Sequence, residues 1–261
     1  MAILHAAKRH PRLLISLSVV ALATAGGLFW QAQHRNAPDP ALRANTLTEL
    51  RVMADSGRDD DALAELQRLA DKGTPDAQRT LGQVLLARGD SEHALTGVRW
   101  LQQAGQAGDA DAYAALGKAW LLGSPGLAIN YPQAHTALQA AAKTGHTGAA
   151  YYLGIQLKNG YGIPADAKAA AHWFEVAARN DEPAALFMLA NAYRYGDGVA
   201  NDDAKALALY RKSADLEYPP AIQAMAMAYQ HGEMGLKRDP ANYKQELAEA
   251  AHALKHPAQQ P

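Results

Sequence analysis

The stretch YYLGIQLKNGYGI, residues 151–163, carries a contradiction. Its first nine residues have the apolar periodicity of a helix, yet Gly154 sits inside it. A glycine in a helix interior costs roughly 1 kcal/mol relative to alanine. Six residues further on, Gly160 and Gly162 flank a tyrosine, which reads as a helix end followed by a turn. The cost at Gly154 calls for an offset, and the rest of the chain supplies it.

Aligned on a small residue that follows Leu or Met, the chain repeats itself at Leu81-Gly82, Leu116-Gly117, Leu153-Gly154, Leu189-Ala190 and Met225-Ala226. Successive small residues stand 35, 37, 36 and 36 positions apart. Four residues before each Leu or Met comes Ala77, Ala112, Ala149, Ala185 or Ala221. Downstream lie Gly89, Gly123, Gly160, Gly196 and Gly232, and in four units a second glycine follows. The second half of each unit matches too: VRWLQQAG, HTALQAAA, AHWFEVAA, LALYRKSA and KQELAEAA all end in two small residues. Leu101, Leu138, Phe174, Tyr210 and Leu247 stand three positions before that pair. A further copy, LAELQRLA, occupies residues 63–70.

A period near 36 built from two helical segments is the signature of a solenoid. The expected fold is all-α: a right-handed α-solenoid of about five helix-turn-helix repeats over residues 74–256. A capping helical hairpin at 42–73 precedes it and a tail at 257–261 comes after it. Helices in such a stack approach most closely where side chains are smallest, which places Gly154 at a helix crossing. Alanine replaces it in the fourth and fifth units, so the demand is for size and not for positive φ. The Gly160 position never varies, as expected of a left-handed helix end. Thr74-Pro75, Asp181 before Glu182-Pro183, and Asp239-Pro240 read as capped helix starts with an early proline. Each first helix then runs about 13 residues, roughly 20 Å.

The N-terminus is a separate matter. Lys8, Arg9 and Arg12 in a basic segment, residues 1–12, precede an uncharged run of 18 residues, 13–30. That length suits a short membrane anchor with Trp30 at the far interface, or a signal peptide cleaved after Ala23-Thr24-Ala25. Both keep the basic residues cytoplasmic and export the C-terminal part of the chain, and the apolar Leu28, Phe29 and Trp30 favour the anchor. Residues 31–41, polar and proline-bearing, read as a linker. The expected location is the inner membrane, single-pass, with the C-terminal domain in the periplasm; the alternative is a cleaved periplasmic or secreted protein.

Composition narrows the chemistry. The chain of 261 residues contains no cysteine, which removes disulfides, thiolate catalysis and cysteine-held metals. Its net charge is −1, and the 30 N-terminal residues contribute +3, so the remainder is mildly acidic and a poor nucleic-acid binder. His252 and His256 share a helix face, but HALKH lacks the glutamate of a zinc-protease helix and reads as a basic helix end. GDGVANDDA, residues 196–204, lacks calcium-loop spacing, and Asn201 and Asp202 read as caps. Asp59, Asp60 and Asp61 read as negative charge at a helix start. No nucleotide-loop or nucleophile-elbow motif is present, so no catalytic residue, cofactor, metal or small-molecule substrate is expected.

Units such as AAYYLGIQLKNGYGIPADAKAAAHWFEVAARND resemble Sel-one-like repeats, a subclass related to tetratricopeptide repeats. Lys168-Ala169 and Lys205-Ala206 fit the pattern; the short loop after Gly89, and Asn242 in place of lysine, depart from it. The resemblance implies a non-enzymatic scaffold or adaptor, here in a bacterial cell-envelope complex, with protein partners on the concave face. The alternative is a binding module for cell-wall glycan or peptide, or for a host factor. On a helical wheel the Ala and Leu of each first helix face inward with Leu85, Trp120, Leu157, Tyr193 and Tyr229, which read as core. The opposite side carries Tyr151, Ile155 and Lys158; Phe187, Asn191 and Arg194; and Gln223, Met227 and Gln230. That mixture of apolar anchors and hydrogen-bonding groups suits protein recognition, and these nine are the candidate partner-binding residues.

Overall fold

The computed structural model describes residues 40–253, with side chains placed for 46–248. The segments 1–12 and 13–30, nearly all of the linker 31–41, the tail 257–261 and His256 lie outside these. The chain divides into two compact units, residues 1–49 and 50–261, and the repeats belong to the second. Among the described residues there are twelve α-helices, and the sole β feature is an isolated bridge between Ser124 and Leu127. None of these helices is long and apolar enough to cross a membrane.

Helices α1 (Pro40–Ser56) and α2 (Asp60–Ala70) come first. Five pairs succeed them: α3 (Pro75–Ala87) with α4 (Ser91–Gln106), α5 (Ala110–Leu122) with α6 (Tyr131–Lys143), and α7 (Thr147–Asn159) with α8 (Ala167–Ala178). The last two pairs are α9 (Pro183–Tyr195) with α10 (Asp203–Asp215) and α11 (Pro219–His231) with α12 (Pro240–Ala253). Each first helix packs most extensively on the second helix of its own repeat and next on the second helix before it. Helix α2, which holds the early copy LAELQRLA, packs on α3 as a preceding second helix would. Between alternate helices smaller contacts run from α5 to α7 and, more slightly, from α3 to α5, all first helices.

The tight crossings fall where the sequence is smallest. A Cβ on Gly154 would lie 2.6 Å from a ring carbon of Phe174 in α8. The same holds at Gly82 against Leu101, 2.6 Å, and at Gly117 against Leu138, 2.5 Å. Thus the missing side chain of one helix is the seat of the repeating large residue of the next. Ala190 and Ala226 occupy that place in the last two repeats, fully buried. Gly160, Gly196 and Gly232 end α7, α9 and α11 in the left-handed conformation, as expected, whereas Gly123 ends α5 at φ +79°, ψ 158° and Arg88, not Gly89, is the C-cap of α3. The second loop glycine does more than turn the chain: a Cβ on Gly198 would collide with the Ala167 carbonyl, and one on Gly162 with Tyr131. These loops therefore press on the start of the preceding second helix, whereas Gly235 in the last repeat has open space around it.

Two of the three expected proline caps differ. Asp239 accepts from the Ala241 and Asn242 N–H groups, at 3.0 and 3.1 Å. Thr74 holds the N-cap place of α3 without a side-chain bond, and the N-cap of α9 is Glu182, not Asp181. Asp181 belongs instead to the turn between repeats, with φ +57°. That turn recurs at Gly73, Gly108, Gly145, Asp181 and Glu217, all left-handed. Caps form at Asp59, Asp90, Asp109, Asn130, Asp166 and Asp202, which accept from their helix N-termini, while Tyr218 at the start of α11 makes none. Leu85 and Trp120 are buried as read, whereas Leu157, Tyr193 and Tyr229 are half-buried.

Candidate partner-binding surface

The nine candidate residues divide by what they touch. Lys158, Gln223 and Met227 stand exposed, Met227 by 42%. Tyr151, Ile155, Phe187, Asn191, Arg194 and Gln230 are half-buried. Ile155 packs against the main apolar core. Tyr151 lies edge-on to Tyr152, with ring centroids 5.2 Å apart, and tilted to Phe174 at 6.2 Å. Burial pushes its hydroxyl well above the ordinary phenol range, and nearby Tyr218, Tyr152 and Glu182 add to this. Phe187 sits between Tyr210 and Tyr218, 5.7 and 5.6 Å away. Asn191 Oδ1 accepts the Tyr210 hydroxyl at 2.6 Å. Arg194 is paired with Glu233 from the loop of the last repeat and lies 5.3 Å over the Tyr195 ring.

Sequence reasoning missed a recurring joint between repeats. In the first and fourth repeats the residue three before the small position reaches the N-cap residue of the next first helix. Arg79 Nε donates to Asp109 Oδ2 at 2.8 Å, and Asp109 also caps α5 through the Ala112 N–H at 2.9 Å. Phe187 lies tilted to the Tyr218 ring, 5.6 Å away. Opposite charges 30 residues apart at Arg79 and Asp109, nearly one period, were the available signal. His146 occupies the same N-cap place in α7, where its Nδ1 accepts the Ala149 N–H at 3.0 Å and its Nε2 faces Asp111 at 3.2 Å. Tyr151 and Phe187 thus serve the stack as well as its surface.

Gln156 is a second feature without a counterpart in the other repeats. It is fully buried, and its Nε2 donates at 3.0 Å to the carbonyls of both Tyr131 and Tyr161. Those two tyrosines stack at 5.4 Å. The amide therefore straps the loop of the third repeat to the second helix of the repeat before. On the other side of the stack a groove of about 360 Å³ opens between α4 and α6. Tyr113, Trp120, Gln102, Gln106 and Gln133 are among its lining residues. Gly105 makes room for the Tyr113 ring, which a Cβ there would meet at 2.7 Å. Among the described residues no group of three or more His, Asp or Glu is placed to hold a metal ion.

The Sel1 repeat model matches residues 75–109, 147–182, 183–218 and 219–242, together just over half of the chain. It passes over residues 110–146, where the loop after α5 is longer than in the neighbouring repeats. Comparison with curated proteins gave no match. Among solved structures, a Sel1 repeat protein from Oxalobacter formigenes is 26% identical with TM-score 0.69, over 89% of this chain and 97% of that one. A protective antigen of uropathogenic Escherichia coli with an SLR fold is 23% identical with TM-score 0.55, over 80% of this chain and 53% of that one. An immunity protein from Pseudomonas aeruginosa shares the fold at 17% identity and TM-score 0.56, over 88% of both chains. Proteins built of Sel1 repeats are typically interaction scaffolds that bind other proteins, and typically non-catalytic. This chain, with its four matched units and its helical pairs in register, belongs to the Sel1 repeat family.

Proposed function

We propose that this protein is a non-enzymatic adaptor of the bacterial cell envelope, binding protein partners along the strip formed by its first helices. The observation that carries the reading is that these helices touch one another across repeats, α3 with α5 and α5 with α7. That contact brings the faces of α3, α5 and α7 together, and the repeat supports reading the same side of α9 and α11 as its continuation; the concave side is the part of a solenoid that most often recognises partners. In this reading it carries the exposed Lys158, Gln223 and Met227 and the half-buried Tyr151, Ile155, Phe187, Asn191, Arg194 and Gln230. An apolar anchor among polar groups is the composition of a specific interface. The uncharged run at 13–30, after Lys8, Arg9 and Arg12, supports a tether in the inner membrane with the repeats in the periplasm.

Photo-crosslinking in cells tests this. Benzoylphenylalanine at Met227 or Lys158 yields discrete adducts to a protein of the envelope fraction, and at Leu95, exposed on α4, it does not. Adducts from Leu95 alone, or none from the inner strip, contradict the reading. An intact N-terminus that stays with membranes supports the tether, and a shortened soluble product contradicts it.

A further inference from the structure

The groove between α4 and α6 opens where one side chain is small. The residue before the repeating large one is Trp100, Trp173 and Leu209 in the first, third and fourth repeats, Glu246 in the last, and Ala137 in the second. Trp173 and Leu209 are half-buried and pack against the main core. Ala137 offers only a methyl group at that place, and it lines the groove of about 360 Å³. Tyr113 and Trp120 line it too. Tyr113 stands where the later repeats carry Ala150, Leu186 and Ile222. Gly105, in register with Ala142, Ala178 and Ala214, makes room for its ring. The α5 and α6 residues of the groove all belong to 110–146, the stretch that the Sel1 repeat model passes over.

Charge is missing from the lining. Among the described residues no lysine, arginine, aspartate or glutamate borders the groove. In register, Lys143 and Lys168 come to the next pair of second helices, and Glu175 and Arg179 to the pair after that. Here the corresponding places hold Gln102, Gln106 and Pro132, with Gln133 beside them. The three glutamine side chains form no hydrogen bond among the described residues. A carboxamide offers a donor and an acceptor together, which matches the peptide group. An ionic side chain brought into this groove would lose water and gain no countercharge.

We propose that this groove takes an uncharged, extended segment of a protein partner and seats one of its aromatic side chains over Ala137. The incoming ring takes the place that Trp173 holds, in register, in the third repeat, and packs with Tyr113 and Trp120. The carboxamides of Gln102, Gln106 and Gln133 pair with the backbone on either side of it. An aromatic anchor in a pocket edged by hydrogen-bonding groups is the part of an interface that carries most affinity. The site opens between second helices and is independent of the inner strip. Leu95 is in register with Pro132, one repeat earlier, so a crosslinker there does not report on this groove.

Full-length protein labelled with fluorotryptophan provides the test. Each of its four tryptophans gives a fluorine resonance, and Trp120→Phe identifies the one in the groove. The probes are the end-blocked peptide Ser-Gly-Trp-Gly-Ser, its alanine counterpart Ser-Gly-Ala-Gly-Ser, the acidic Glu-Gly-Trp-Gly-Glu and the neutral sugar chitobiose. The first peptide shifts the Trp120 signal saturably, the acidic one binds about tenfold more weakly, and the alanine peptide and the sugar do nothing. Ala137→Trp, which gives the second repeat the indole of its neighbours, abolishes the response at an undiminished thermal midpoint. Gln102→Ala with Gln106→Ala, neither in the core, weakens it about tenfold. An equal response to the alanine peptide, or none to any peptide at millimolar concentration, overturns the proposal. So does a response to chitobiose alone, which would mark a sugar site. Undiminished binding by a folded Ala137→Trp protein overturns it as well. Should that variant fail to fold, the glutamine pair decides: unweakened binding there overturns the proposal.

Discussion

Replacing Gly154 by alanine should destabilise the protein, although alanine is the better helix former. In an exposed helix the exchange would stabilise by about 1 kcal/mol. Here the new methyl would lie 2.6 Å from Phe174 Cε1 and 2.7 Å from Cδ1. Carbon atoms rest at about 3.5–4.0 Å, so the ring or the helix must give by an ångström. Phe174 is 2% exposed and has little room to retreat. Overpacking of that kind costs typically ~1–3 kcal/mol, leaving a net loss of about 1 kcal/mol after the helix gain. The decisive comparison is made with Phe174→Ala, itself costing ~3–5 kcal/mol. With the ring gone the methyl enters vacated space, and Gly154→Ala becomes stabilising by ~1 kcal/mol. The sign therefore reverses between backgrounds, a coupling of ~2 kcal/mol between residues in contact. Urea unfolding followed by circular dichroism measures all four members of the cycle, and hydrogen exchange of the α7 and α8 amides reads the crossing locally. A Gly154→Ala protein more stable than wild type, or the same effect in both backgrounds, would mean that the crossing is not held by size.

Other perturbations have equally definite outcomes. Glu217 holds φ +58° in a turn where three repeats use glycine; Glu217→Gly should raise stability by about 0.5–1 kcal/mol in the same urea experiment. Gln156→Leu leaves the Tyr131 and Tyr161 carbonyls without their donor; a loss of ~2–3 kcal/mol and faster exchange in the α7–α8 loop are expected. The raised pKa of Glu182 means that its contribution to stability is fully present below about 4.5 and is lost as pH rises through the folded-state value. Glu182→Gln should therefore flatten the fall in thermal midpoint over that window, and an unchanged pH profile would count against its unpaired burial. Arg79→Ala removes the cation from Asp109, whose side chain is 9% exposed; a loss of ~2 kcal/mol, largely recovered in Arg79→Ala with Asp109→Asn, is expected.

The repeat, its helix pairs and its tight crossings were legible in the sequence, because size and spacing are written directly in residue identity. Gly154 against Phe174 is one case: both positions recur in register, and only the contact between them had to be supplied by the fold. Caps were less legible. Thr74 and Asp181 have the right chemistry, but Thr74 makes no side-chain bond at its N-cap and Asp181 stands in a left-handed turn one residue before the cap. The surface was least legible, since a helical wheel separates inside from outside for one helix and knows nothing of the next repeat. Phe187 and Arg194 fall on the outer side of the α9 wheel, yet Tyr218 and Glu233 from the following repeat meet them there.

The sharpest measurement of the stack exploits the absence of cysteine, which lets spin labels be placed in pairs without background. Labels at Ala87 and Tyr195 report on first helices of the first and fourth repeats; labels at Gln103 and Lys212 report on second helices of the same repeats. All four positions are exposed. With helix layers about 10 Å apart, three steps along the inner side span at most about 30 Å between the first-helix backbones. Pulsed electron resonance should give a single distance for each pair, the second-helix pair being the longer. A first-helix distance equal to or longer than the second-helix distance would place the first helices outside the curve, and no inner strip could then be built from them.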